Sequence, residues 1–303
     1  MLSVVIPTFN RPGELRECLN ALASQSCEEG CEVVVVDDGS DARTRDLIRE
    51  LALPHVAYAR QEHGGPASAR NLGVKKARGD VILFLGDDII AGEGLVREHI
   101  IFHAKHPKCA CLGYTRTDPR VEVTYLMRFL AHSGPQLNPA AIQDDVNDLP
   151  FYYFMTANVS LPRSALEEAG FFDESYAEAA WEDIELGFRL REKGYKIAFN
   201  QKAEALHSHF MGVAEFKELW RKKGRALALF SRKHPNVPAI ERLLSKPTRM
   251  EAAAADILST PFTIASPYLE AFKADLLLNR GYLMLWRRSL RQGLIEGGAH
   301  GGG

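Results

Sequence analysis

About the first hundred residues alternate between two periodicities, and this alternation constrains the fold more than any other feature of the chain. Short apolar, β-branched runs stand at Leu2–Ile6, Glu32–Val36, His55–Arg60 and Val81–Leu85. Between them lie stretches with helical spacing: Leu15, Leu19 and Leu22, then Thr44–Leu51, then Ala67–Ala77. Strands that are apolar throughout are covered on both faces, and strands that alternate with helices pair in parallel. The expectation is an α/β fold, a mostly parallel central sheet with helices on both faces. Ligands of such sheets bind in the crevice beyond the carboxyl ends of the strands. Those ends read Pro7-Thr8-Phe9-Asn10, Asp37-Asp38-Gly39-Ser40 and Gly86-Asp87-Asp88.

Beyond residue 100 the pattern predicts helices at Leu95–His106 and Val121–His132 and strands at Cys109–Thr115 and Phe151–Ala157. Ser133–Leu149 reads as a loop, Trp181–Lys193 as a helix ended by Gly194, and Tyr195–Phe199 as a strand. From Gly212 onward the patterning is helical: Glu215–Lys233, Ala239–Leu244, Met250–Leu258 and Pro267–Arg291. A net charge of −2 gives no global attraction to nucleic acid or anionic lipid. No secretory signal and no apolar stretch of membrane-spanning length is read, so a cytoplasmic protein is expected. The five cysteines form no CxxC pair, which argues against zinc and disulfide frameworks.

Each chemical signal has a plain alternative. Asp38 can accept hydrogen bonds from a nucleotide, or cap the following helix. Asp87 and Asp88 repel each other unless a cation or donor offsets them, and hard oxygen ligands suit Mg²⁺ or Mn²⁺; a solvated turn is the rival reading. Asp183, in Trp181-Glu182-Asp183, is placed to act as a general base, or to complement a helix dipole. His207 and His209 alternate on an extended segment and so face one way. Lys217–Lys233 carries seven Lys or Arg against one Glu, as either a solvated face or an anion contact.

The combination Ser3–Asn10, Val34–Ser40, Gly65–Asn71 and Ile82–Asp88 resembles the family 2 glycosyltransferases of GT-A fold. The likeness continues through Ala157–Ser160, Gly170–Glu174, Trp181–Asp183 and His207, covering roughly the first 210 residues. It implies an inverting transferase that moves a sugar from a nucleotide-sugar, by default a UDP-sugar, to an acceptor hydroxyl or amine. By that resemblance Pro7, Thr8, Asn10, Asp38, Arg70, Asp87 and Glu182 belong to nucleotide-sugar binding. Asp183 is the catalytic base, and Asp88 with His207 or His209 holds Mg²⁺ or Mn²⁺. The family's DxD triplet here reads Gly86-Asp87-Asp88, so its first acid is missing. The implied division is a catalytic domain over 1–210 (nucleotide-sugar half about 1–116, acceptor half about 117–210), a helical region over 211–295 and a flexible Gly-rich tail over 296–303.

The acceptor class stays open between a saccharide, a lipid-linked sugar and a small molecule, with no nucleic acid expected. For the C-terminal helices, ordinary packing is preferred over peripheral contact with the inner face of a membrane or a homodimer face. Two rival functions are carried forward. One is a sugar-phosphate nucleotidyltransferase, for which Pro7–Gly13 is a poor phosphate loop; the other is a degenerate GT-A binding or scaffold module.

Overall fold

A computed structural model of the chain describes residues 1–23, 25, 30–132, 142, 148–238, 240, 249–271 and 274–298. These group into two compact units. The first contains the eight strands β1 (Leu2–Thr8), β2 (Cys31–Asp37), β3 (Val56–Arg60), β4 (Val81–Leu85), β5 (Ile89–Ala91), β6 (Cys109–Thr117), β7 (Asn158–Pro162) and β8 (Lys196–His207). Its helices are α1 (Pro12–Ala23), α2 (Ala42–Leu51), α3 (Pro66–Lys76), α4 (Leu95–Lys105), α6 (Arg163–Ala169) and α7 (Glu182–Glu192). The second unit holds α5 (Tyr125–His132) and the helices that follow Phe210.

One eight-stranded sheet runs in the order β3-β2-β1-β4-β7-β6-β8-β5. The β3-β2-β1-β4 half is parallel, as the alternation predicts. Past β4 the sheet is mixed: β7 is antiparallel to β4 and β6, and β5 to β8, while β6 and β8 are parallel. Successive residues of a strand point to opposite faces, and the core divides accordingly. Val4, Ile6, Val33, Val35, Leu83 and Leu85 pack with Leu15, Leu19, Leu47 and Leu95. Val5, Val34, Val36, Ile82 and Phe84 pack with Ala67, Val74, Leu166 and Leu186 on the other face. Full burial of each such side chain contributes about 1.5–3 kcal/mol, so these runs hold position only inside a sheet covered on both sides.

Several predicted elements shift. The apolar run Phe151–Ala157 is no strand: Phe151–Tyr153 forms a single 3-10 turn and the strand begins at Asn158. Phe151 packs edge-on against Phe188 of α7 and Phe154 is fully buried, so side-chain packing overrides the strand-like composition. The predicted strand Tyr195–Phe199 extends to His207 and brings that histidine into the sheet. Cys31 is disulfide-bonded, where the sequence argued against a disulfide framework. Most of the predicted Ser133–Leu149 loop, the helix Ala239–Leu244 apart from Ile240, and the tail beyond Gly298 lie outside the described residues.

In the second unit α8 (Val213–Lys233) and α10 (Asp275–Glu296) bury Phe216, Leu227, Phe230, Leu278 and Leu285, and Trp220 meets Trp286 edge to face. The helix α9 (Arg249–Ala271) runs through Pro261 and Pro267, where its sequence suggested a break. Pro267 has no N–H for the carbonyl of Thr263; the Ser266 hydroxyl donates to that oxygen instead, at 3.2 Å. On α8, Arg221 and Arg225 are engaged by Glu218 and Glu296, so part of its basic character is consumed inside the unit. No helix among the described residues is long and apolar enough to cross a membrane.

Candidate functional site

The strand ends converge as the crevice rule requires. Pro7 and Thr8 end β1, where the Thr8 hydroxyl donates to Asp87 Oδ2 at 2.8 Å. Asn10 adopts a left-handed φ of 56°, a conformation asparagine tolerates better than most residues. It is pinned there by its own N–H to Ser40 Oγ at 2.9 Å and by the Asp41 N–H to its Oδ1 at 3.0 Å.

Asp38 is buried and heavily engaged. Its Oδ1 accepts from Gln61 Nε2 at 2.7 Å and Gly64 N at 2.9 Å; its Oδ2 accepts from Gly65 N at 2.9 Å and lies 2.9 Å from His63 Nδ1. It therefore organises the loop that leads into α3. Gly65 carries a φ of +89°, and a Cβ there would lie 2.3 Å from the Ala177 carbonyl oxygen, so only glycine fits. Asp37 lies beneath, fully buried. Burial raises its pKa, but the Tyr58 hydroxyl at 2.5 Å, Ser40 N at 2.7 Å and Arg60 at 3.0 Å outweigh that and hold it below the ordinary value.

The second acid pair is held differently. A single nitrogen of Arg11, Nη1, lies 3.3 Å from Asp87 Oδ1 and 3.0 Å from Asp88 Oδ2. His207 Nε2 lies 3.4 Å from the same Asp88 Oδ2. Register pairing of Ile89 with His207, and the Ser208 N–H to Asp88 O at 3.0 Å, set that approach. The His209 ring stacks on His207 with centroids 5.6 Å apart, so both histidines are on the acid pair's side. Burial, reinforced by the charge of Asp88, pushes Asp87 up to about 6. Burial also raises Asp88, but His207 and Arg11 overcome it and bring it down to about 2. Two neighbouring acids driven apart in this way mark a polarised site.

No three His, Cys, Asp or Glu side chains converge on one point among the described residues. The donors present, Asp88 carboxylate and His207 imidazole beside Asp87, nonetheless match a cation that binds through one or two carboxylates and completes its shell with water and phosphate oxygens. That chemistry fits Mg²⁺, and with the imidazole Mn²⁺.

Gly86, where the family's first acid is missing, has a spatial reason. A Cβ at 86 would meet Asp88 Oδ1 at 2.8 Å and Ile89 Cγ1 at 3.1 Å.

Asp183 sits in the first turn of α7, half-buried, with Oδ1 accepting from Ile184 N at 2.8 Å and Oδ2 from Thr156 N at 3.4 Å. The adjoining Ala157 carbonyl accepts from Gly86 N at 3.2 Å. The segment Thr156-Ala157 thus bridges Asp183 to the acid pair. Preceding α7, Trp181 is buried at a φ of 67°, strained for an aromatic residue by about 1–3 kcal/mol. Arg70 of α3 donates to Glu182 Oε1 at 2.8 Å across the domain, both side chains buried. Arg70 Nε and Glu182 Oε2 lack hydrogen-bond partners among the described residues, and burial with the adjacent Asp183 charge raises the Glu182 pKa. Arg70 and Glu182 therefore bind each other beside Asp183.

Sequence reasoning missed four contributors. Arg11 was visible only as part of the Pro7–Gly13 loop. Phe9 and His63 stack with ring centroids 4.2 Å apart and 21° between planes, a partly exposed aromatic platform beside Asp38. Thr156 carried no chemical signal, since it acts through its backbone.

The family model for glycosyl transferase family 2 matches residues 3–169. Validoxylamine A glucosyltransferase of Streptomyces hygroscopicus subsp. limoneus is 32% identical over 265 residues, covering 78% of this chain and 57% of that protein. Chondroitin synthase of Escherichia coli is 27% identical, covering 77% of this chain and 38% of that protein. The chain thus spans little more than half the length of the first and well under half of the second. Among solved structures, mannosyltransferase PcManGT from Pyrobaculum calidifontis, in complex with GDP-Man and Mn²⁺, matches with a TM-score of 0.65 at 18% identity, over 98% of this chain and 86% of that one. TarS 1-349 of S. aureus, in complex with UDP, matches at 0.53 and 21% identity, over 96% and 91%. At such identities these two establish the fold alone, a GT-A architecture. On the family model and the fold together, the chain belongs to glycosyl transferase family 2.

Proposed function

We propose that this chain transfers a sugar from a nucleoside-diphosphate sugar, by preference a UDP-sugar, to an acceptor hydroxyl or amine with inversion at the anomeric carbon. The observation that carries this is the bridge of Thr156-Ala157, which links Asp183 to the Asp87–Asp88 pair through adjacent peptide groups. It supports a base and a diphosphate site in one crevice. Relatives named for sugar transfer, and fold neighbours in complex with GDP-Man or UDP, agree with a nucleotide-sugar donor. Family membership lends no support to a nucleotidyltransferase or to a scaffold.

In this mechanism the Phe9–His63 platform takes a face of the base, while Thr8, Asn10 and the Asp38-ordered loop line its pocket. Asp183 accepts the acceptor's proton as its oxygen or nitrogen bonds to the anomeric carbon. The bond to the diphosphate oxygen breaks on the opposite face, and its electron pair leaves with the nucleoside diphosphate. An α-linked donor therefore yields a β-linked product. Asp88 with His207 or His209 would hold Mg²⁺ or Mn²⁺, which when bound neutralises charge on the departing diphosphate. Arg70 and Glu182 fix the base end of α7 against the nucleotide side.

The test is nucleoside diphosphate release from a panel of UDP-, GDP- and dTDP-sugars with Mn²⁺. One donor should be turned over, and Asp183→Asn should lower turnover by about 10²–10⁴ with donor affinity retained. No release from any donor, together with no metal-dependent protection by UDP against thermal unfolding, would sink the reading.

A further inference from the structure

We propose that Arg11 is the resident counter-cation of the Asp87–Asp88 pair and competes with a divalent cation for it, so that the Arg11 ion pairs and cation binding exclude one another. This rests on the metal reading above and adds to it a competitor built into the chain.

The exclusivity comes from one oxygen. Asp88 Oδ2 lies 3.0 Å from Arg11 Nη1 and 3.4 Å from His207 Nε2. A cation held by Asp88 and His207 needs that atom, and the guanidinium occupies it. The same Nη1 reaches Asp87 Oδ1 at 3.3 Å, so one nitrogen bridges both carboxylates, as a shared cation would. Without some positive charge there, buried Asp87 and the mostly buried Asp88 beside it would repel each other.

The contact is built to be given up. Arg11 engages the pair through Nη1 alone, not through the two-pronged fork that makes arginine–carboxylate pairs strong. Its side chain is 40% exposed. Its backbone, by contrast, is anchored: Arg11 O accepts from Leu15 N at 3.0 Å to start α1, and Asn10 before it is pinned by Ser40 and Asp41. Release needs rotation of the side chain only, toward water or an incoming diphosphate. A doubly charged ion outweighs a guanidinium at equal distance. Thr8 on Asp87 and the backbone bond from Ser208 to Asp88 O keep the acids in place when Arg11 leaves.

The experiment is direct Mn²⁺ binding to the full chain without nucleotide, followed by the electron paramagnetic resonance of free Mn²⁺. Arg11→Met should bind Mn²⁺ roughly tenfold more tightly than the unaltered protein, and Arg11→Lys should fall between them. Added Mn²⁺ should also raise the melting temperature more in Arg11→Met. Should Arg11→Met fail to fold, Arg11→Gln, neutral and still able to hydrogen-bond, must show the same gain. Equal or weaker Mn²⁺ affinity in the folded variant overturns the competition and leaves the metal reading intact. Absence of Mn²⁺ binding at millimolar concentration in both proteins overturns the two together.

Discussion

Two Asp-Asp pairs stand at the carboxyl ends of β2 and β4, the parallel strands that flank β1, and the protein uses them in opposite ways. Asp37 and Asp38, at the end of β2, are answered by the peptide N–H of Ser40 in the same turn and by groups from β3 and the loop behind it: Tyr58, Arg60, Gln61, His63 and the peptide N–H groups of Gly64 and Gly65. Asp87 and Asp88, after β4, are answered by the side chains of Thr8, Arg11 and His207, two of them partly exposed. Backbone donors cannot leave without unfolding a loop; a guanidinium or an imidazole can turn aside. The first pair is therefore part of the scaffold, and the second is available to a ligand.

The largest effect should separate the pairs outright. Asp37→Ala strips a fully buried carboxylate from three donors and should lower unfolding free energy by about 3 kcal/mol, with Mn²⁺ affinity little changed in the protein that remains folded. Asp88→Ala should do the reverse: stability within about 1 kcal/mol, and Mn²⁺ binding lost. Denaturant unfolding and Mn²⁺ titration of both variants decide the matter. Equal destabilisation by the two would erase the distinction drawn here.

Acid sharpens the comparison. Asp37 is held below its ordinary pKa, so its contribution persists above the unfolded value and is lost only as pH falls through the folded one. Acid sensitivity between pH ~6.5 and ~4 must then come from elsewhere. His99 and His103 on α4 share Ser160 Oγ at 2.7 Å each, and burial lowers them to about 4 and about 3. The folded state keeps both neutral while the unfolded chain takes up protons, so each should cost about 2 kcal/mol of stability by pH ~5. Asp87, pushed up to about 6, works in the opposite sense over the same window and offsets part of the loss. His103→Gln should flatten the stability difference between pH ~7 and ~5 by about 2 kcal/mol; an unchanged difference would return the acid sensitivity to the carboxylates.

The smallest effect concerns the missing acid. Gly86→Ala places a methyl against the tip of Asp88, a flexible neighbour, so stability should move by less than about 1 kcal/mol. Mn²⁺ affinity should fall roughly threefold to tenfold as Asp88 is displaced. Unaltered affinity would mean that Gly86 has no bearing on the cation site.

Much of the parallel half was legible, because Val33–Val36 and Ile82–Leu85 are apolar without interruption and only a doubly covered sheet accommodates such runs. The candidate positions were legible as a set: Thr8, Asp38, Asp88, Asp183 and His207 all lie at or next to strand and helix ends. Their division of labour was not. Asp38 and Asp88 are each the second acid of an Asp-Asp pair near a strand's carboxyl end, and nothing in that dipeptide distinguishes a carboxylate surrounded by peptide N–H groups from one faced by an arginine. The aromatic turn at Phe151–Tyr153 also escaped, since strand propensity there yields to packing on α7.

By itself, then, the sequence determined what depends on near neighbours: the strand and helix periods, the sheet's parallel half, the acids at its strand ends and the motif order of the family. The tertiary structure alone decided which groups answer those acids. Thr8 meets Asp87 from 79 residues away, and Arg70 meets Glu182 from 112. The physical reason is that periodicity reports the burial of one residue against its neighbours along the chain. Hydrogen bonding and charge pairing are settled by whatever the fold brings within about 3 Å.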